Sequence, residues 1–106
     1  KRAVKIDDEP LTIDDIMDKV CSHYNVTMSA VNSRSRKKDI VMARQVSMYM
    51  AQKYTKMPAS RIGKLVGNRD HSTVIHSCSK IEDRLKVDKG FHAEIASIEN
   101  SFKLKA

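Results

Sequence analysis

Gly67-Asn68-Arg69-Asp70-His71-Ser72-Thr73 separates two apolar patterns of helical period, and its reading decides the fold. Upstream, Pro58 suits the first turn of a short helix over Ala59 to Val66 that buries Ile62 and either Leu65 or Val66. Downstream, Val74, Cys78, Ile81 and Leu85 mark one side of a longer helix that Asp70 or Asn68 can cap. Gly67 and Asn68 both tolerate a left-handed backbone, so the chain can reverse within two residues. A short helix, a tight turn and a longer helix form a helix-turn-helix. In such a unit the second helix lies in the major groove of DNA and its first residues touch base edges. Here those residues are Arg69 to Thr73, all short or polar hydrogen-bonding groups, at a helix start that offers free amides and a positive dipole end. Ile75 falls one residue off the apolar stripe, either at the edge of the core or placed to pack on a thymine methyl. Asp70 can cap the helix and can also accept from a cytosine amino group or fix a neighbouring donor, and the roles are compatible.

Outward from this unit the chain reads as helix throughout. Ile13, Ile16, Met17, Val20 and Tyr24 form a stripe that Thr12 can cap, with Asp14 and Asp15 in the first turn and Asn25 at the exit. A short helix over Ser29 to Asn32, capped by Thr27 or Ser29, leads to a long one from Lys38 to Tyr54. The stripe of that long helix is Ile40, Ala43, Val46, Met50 and Tyr54. Asp88 can cap a last helix carrying Phe91, Ile95, Ile98 and Phe102. No stretch alternates with period two. The expectation is an all-α, compact bundle of about six helices containing the helix-turn-helix. Residues 1–10, with Asp7-Asp8-Glu9-Pro10, read as a leader or linker, and 11–106 as the helix-turn-helix domain, ordered to about Leu104.

The charge is concentrated. The 106 residues carry a formal +7, and residues 33–69 hold ten basic side chains against one acidic, Asp39. A merely soluble surface mixes the signs, so this third points to a phosphate-facing surface. Arg34-Ser35-Arg36-Lys37-Lys38 precedes the long helix, and arginines on such a lead-in can enter a narrow minor groove.

Other functions fit poorly. Asp70, His71 and Ser72 are triad residue types, but consecutive helical positions point about 100° apart and cannot form a relay. Cys21 with His23, and His76 with Cys78, have a poor chelate spacing, so Cys78 reads as a small core residue. RNA readers stack bases on exposed aromatics, whereas Tyr24, Tyr54, Phe91 and Phe102 fall on core stripes. The basic residues lie in turns as much as on helices, unlike a membrane-surface helix. No run is long enough to span a membrane, no signal-peptide pattern opens the chain, and two cysteines make no disulfide scaffold, so a cytoplasmic location is expected. A protein-interaction role for the Met-rich long helix (Met42, Met48, Met50) and the last helix is the main alternative, although those methionines better suit gaps in the core or its edge.

The string Gly67-Asn68-Arg69-Asp70-His71-Ser72-Thr73-Val74-Ile75-His76 closely resembles the signature of the C-terminal DNA-binding domain (domain IV) of the DnaA family of bacterial chromosomal replication initiators. Leu11-Thr12-Ile13-Asp14, the Arg34 to Lys38 cluster and Ala43-Arg44-Gln45 match in order and spacing, so the resemblance runs from about Leu11 to Leu104. It implies sequence-specific binding of short asymmetric initiator boxes in double-stranded DNA at the replication origin, by a monomer when the domain is isolated. It further implies base contacts from Arg36 in the minor groove and from Asp70, His71, Ser72 and Ile75 in the major groove. Arg34, Lys38, Arg44, Gln45, Arg69, Thr73, His76 and Lys80 would hold phosphates or support those contacts. Three departures stand out: Asn68 replaces a usual Gly, Ser72 a common Thr, and Ser77 a small apolar residue. They bear on box preference. No G-x-x-x-x-G-K-[ST] string occurs. The chain therefore looks like an excised domain that needs no cofactor, ATP being implied only for the ATPase module elsewhere in the family's proteins. Regulatory protein contacts are left open.

Overall fold

The computed structural model describes residues 11–103, so the expected leader over 1–10 and the domain end at Leu104 lie outside the described residues. Among the described residues there are six helices: α1 (Ile13–Tyr24), α2 (Met28–Val31), α3 (Lys38–Tyr54), α4 (Ala59–Leu65), α5 (His71–Val87) and α6 (Lys89–Lys103).

Local chemistry sets most boundaries. The Thr12 hydroxyl accepts from the Asp15 amide while the Asp15 carboxylate accepts from the Thr12 amide, a reciprocal capping box. Asn25 closes α1 at φ 58°, a left-handed exit that Asn tolerates better than most residues. Thr27 caps α2, which starts one residue earlier than the sequence suggests because the cap reaches the Ala30 amide. Pro58 sits at the N-cap of α4, one position before the expected first turn. Asp70 caps α5 and Asp88 caps α6, accepting from Thr73 and Phe91 amides respectively.

α3 is the axis of the bundle and touches α1, α2, α4 and α5. Ala43, Val46, Met48, Met50 and Ala51 are all fully buried, so the helix is enclosed well beyond the single stripe its sequence shows. Met48 and Met50 fill this interior and Met42 lies partly buried at its edge, the two places read for these methionines. α5 packs on α3 and α4 through Val74, Cys78 and Ile81, the burial of Val74 and of Ile81 each contributing roughly 1.5–3 kcal/mol. Leu65 is exposed and Val66 buried, which settles the alternative left open for α4. α6 lies against α5 and α1 and is pinned by two tyrosines. The Tyr24 hydroxyl donates to Glu94, and the Tyr54 hydroxyl donates to Glu99, which also pairs with Lys53 at 2.7 Å. Burial and these carboxylates raise both phenols, Tyr54 to about 12.

Candidate nucleic-acid interface

Asp70, His71, Ser72 and Thr73 all stand exposed at the start of α5. At about 100° per residue, Val74, Ser77, Cys78 and Ile81 turn inward, and each is buried. Thr73, His76 and Lys80 then share one flank of the helix, His71 and Ile75 the other, with Ser72 outermost between them. Ile75 is 52% exposed and lies outside the buried core. Hydrogen bonds from the Thr73 backbone and side chain hold the Asp70 carboxyl below its usual range, with the charge of His71 a smaller contribution. It therefore stays an anionic cap at neutral pH.

The turn before α5 depends on a close approach. Gly67 adopts φ +80° and Asn68 φ 54°, the left-handed pair expected from the sequence. Gly63 on α4 receives the Arg69 backbone: the Arg69 amide donates to the Gly63 carbonyl at 2.7 Å. A Cβ at Gly63 would lie 2.1 Å from the Arg69 carbonyl oxygen. The sequence reading did not single out Gly63, although a glycine inside a helical pattern is itself a signal of tight packing.

Two arginines tie the basic loop to this turn. Arg44 is buried, and its guanidinium donates to the carbonyls of Val31 (2.8 Å), Ser33 (2.9 Å) and Ser35 (3.2 Å). Desolvation, and secondarily the charge of Arg69, lower the affinity of Arg44 for its proton. Arg69 donates to the same Ser33 carbonyl at 3.3 Å, and Asn32 accepts from the Gly67 amide at 3.0 Å. The segment bearing Arg34 and Arg36 is thus fastened two residues before α5 begins. Arg34, Arg36, Lys37 and Lys38 are exposed, and among the described residues none is paired with a carboxylate.

The structure gathers the remaining residues unevenly. Gln45 of α3 joins Asp70, Ser72, Thr73, His76, Ser77 and Lys80 around one shallow recess. A second recess, on the other flank of α5, is lined by Ser60, Lys64, Asn68, Arg69, Asp70 and His71. Ser60 and Lys64 went unnoticed in the sequence because α4 reads only as the first, supporting helix of the motif. Arg44 is the one buried member of the expected set, its charged group turned into the protein where it can support a contact surface, and Arg69 turns one donor the same way.

The family described as bacterial dnaA protein helix-turn-helix matches residues 13–81. The chain is 48% identical over 96 residues to the chromosomal replication initiator protein DnaA of Bacteroides thetaiotaomicron, covering 91% of this chain and 20% of that protein. It is 42% identical over 103 residues to the DnaA of Bacteroides fragilis (97% and 22%), and 44% identical over 105 residues to that of Streptococcus thermophilus (96% and 23%). The chain thus spans about a fifth of the length of these relatives.

Proposed function

The chain belongs to the bacterial DnaA helix-turn-helix family, and from that premise we propose that it binds initiator boxes in double-stranded DNA of the replication origin and so serves chromosome replication as part of a full-length initiator. α5 enters the major groove, where Asp70, His71 and Ser72 meet base edges and Ile75 packs on thymine methyls. Arg36 reaches from the basic loop into the adjacent minor groove, whose narrow form concentrates negative potential. Arg34, Lys38, Gln45, Arg69, Thr73, His76 and Lys80 set register on the phosphates, which carry affinity without sequence information. Arg44 supports them by shaping the loop.

One observation carries this reading. The exposed polar start of α5 and the unpaired arginine loop are bonded to one another, through Arg69 and the Ser33 carbonyl, on one side of the molecule. A groove-reading helix and a minor-groove arginine require that juxtaposition.

Fluorescence anisotropy with an initiator-box duplex and a scrambled duplex tests it, at about the 0.15 M ionic strength where exposed charges are screened beyond roughly 8 Å. Preference for the box by at least about 10³-fold is expected. Equal affinity for both duplexes refutes base reading.

A further inference from the structure

Resting on that reading, we propose that Lys64 of α4 is a phosphate contact on the wall of the major groove opposite the one served by Lys80. None of the phosphate-contacting residues inferred from the sequence lies on α4. A helix in a groove about 12 Å wide has a phosphate strand on each side, yet Thr73, His76 and Lys80 all occupy one flank of α5.

The second recess lies on the other side, where Arg69 is the one residue of the inferred phosphate set, with one of its donors already on the Ser33 carbonyl. Lys64 and Ser60 are four residues apart, hence on one face of α4, and they line this recess with Asn68, Arg69 and His71. Lys64 is exposed, and among the described residues no carboxylate pairs with it. The one acid at the recess, Asp70, is engaged by the Thr73 amide. Hydroxyl, amide, guanidinium, ammonium and imidazole groups around an open concavity form a donor-rich surface suited to a phosphodiester. The two recesses meet only at Asp70, at the tip of α5, as two walls flanking an inserted helix must.

The test is a salt titration of the intact chain on both duplexes, for the unmodified protein, Lys64→Ala, Lys64→Gln and Lys86→Ala. Lys86 lies about 22 Å further along α5 at 1.5 Å per residue and controls for net charge. One phosphate contact contributes about 0.9 to the log–log salt slope, which is about 8-fold in affinity at 0.1 M salt relative to 1 M. Both Lys64 variants are expected to lose that slope increment, and Lys86→Ala to keep it. Duplexes with single neutral methylphosphonate linkages then locate the contact. The unmodified protein loses affinity at a linkage to which Lys64→Ala is blind, on the strand opposite the one where Lys80→Ala is blind.

An unchanged slope for the Lys64 variants overturns the proposal, as does blindness of Lys64→Ala and Lys80→Ala on the same strand. Failure to prefer the box over the scrambled duplex sinks the initiator-box reading instead. The salt slope on the scrambled duplex still decides Lys64, because phosphate contacts do not depend on sequence.

Discussion

Replacing Arg44 separates a scaffold from a DNA ligand. Its guanidinium makes three charge-assisted bonds to backbone carbonyls, at 2.8, 2.9 and 3.2 Å. At roughly 1.5–3 kcal/mol each, their sum is an upper bound. Water can reach the half-buried Ser33 and Ser35 once the side chain is gone, while the buried charge and its repulsion by Arg69 disappear. The several kcal/mol of desolvation that a buried ion carries offset part of the loss. Arg44→Ala is therefore expected to destabilise by about 2–4 kcal/mol. With a urea m-value of about 1.5 kcal/mol/M, the midpoint falls by roughly 1.3–2.7 M. Arg44→Lys keeps the charge, but one ammonium cannot span three carbonyls presented to a planar fork, so more than half the loss should remain. Urea denaturation followed by circular dichroism gives these values, and a salt titration with duplex DNA gives the second readout. A scaffold leaves the salt slope nearly intact. Wild-type midpoints for both variants, together with a slope reduced by about 0.9 for Arg44→Ala alone, would refute the argument and make Arg44 a direct phosphate ligand.

Three other experiments bear on the same surface and its support. Gly63→Ala should destabilise by about 1–3 kcal/mol through overpacking, because the new methyl would meet the backbone carbonyl of Arg69 and not the end of a flexible side chain, whereas Gly90→Ala, whose new methyl meets nothing nearer than 3.5 Å, should be neutral or stabilising by up to about 1 kcal/mol. Equal urea midpoints for the two would contradict the close approach. Arg36→Ala and His71→Ala should each cost on the order of 1–3 kcal/mol on the box and narrow the gap to scrambled DNA, while Lys38→Ala and Lys80→Ala should weaken both duplexes alike. Anisotropy on the two duplexes distinguishes these classes. Burial, with a smaller contribution from Glu82, pushes the Cys78 thiol up to about 11 from an ordinary 9.0, so the folded state binds the extra proton. That contribution is complete below pH 9 and is lost as pH rises toward 11; Cys78→Ala should show a flatter decline in urea midpoint across this window, and an unchanged decline would count against it.

Much of the fold was legible because each helix announces its ends. Thr12, Asn25, Asp70 and Asp88 are residues whose side chains or backbone preferences favour a boundary, and the structure uses all four. The apolar stripes of α1, α5 and α6 were equally plain, since each helix buries one side. α3 was less so, because a helix surrounded by neighbours buries Ser47 and Arg44 along with its apolar residues and loses its contrast. The exposed tip of α5 and the basic loop could be named from type and order alone. What could not be read was the joint between them. Arg44 looks in the sequence like one more cation of a basic third, and only the positions of Val31, Ser33 and Ser35 reveal that its charge faces inward. Gly63 and Lys64 belong to the same class, since their meaning depends on what the Arg69 turn brings against them.

That joint bears on specificity more than on affinity. Two of the ten basic groups between 33 and 69, Arg44 and Arg69, direct donors onto the protein's own Ser33 carbonyl. A donor given to a phosphate strengthens binding to every duplex alike, and Arg69, with one Nη on Ser33, keeps others for that use. Used on Ser33, the two arginines fix the distance from Arg36 to the start of α5. A minor-groove arginine on a free loop would have to surrender the loop's conformational freedom on binding, at roughly 1–2 kcal/mol per backbone residue ordered. Five free residues from Ser33 to Lys37 would cost about 5–10 kcal/mol, as much as or more than the about 2–6 kcal/mol that one arginine and one histidine can supply. With the loop already held, that entropy is lost on folding and not on binding. Loosening the joint should therefore shrink the gap between cognate and scrambled DNA before it weakens nonspecific binding, the reverse of what removing Lys80 should do.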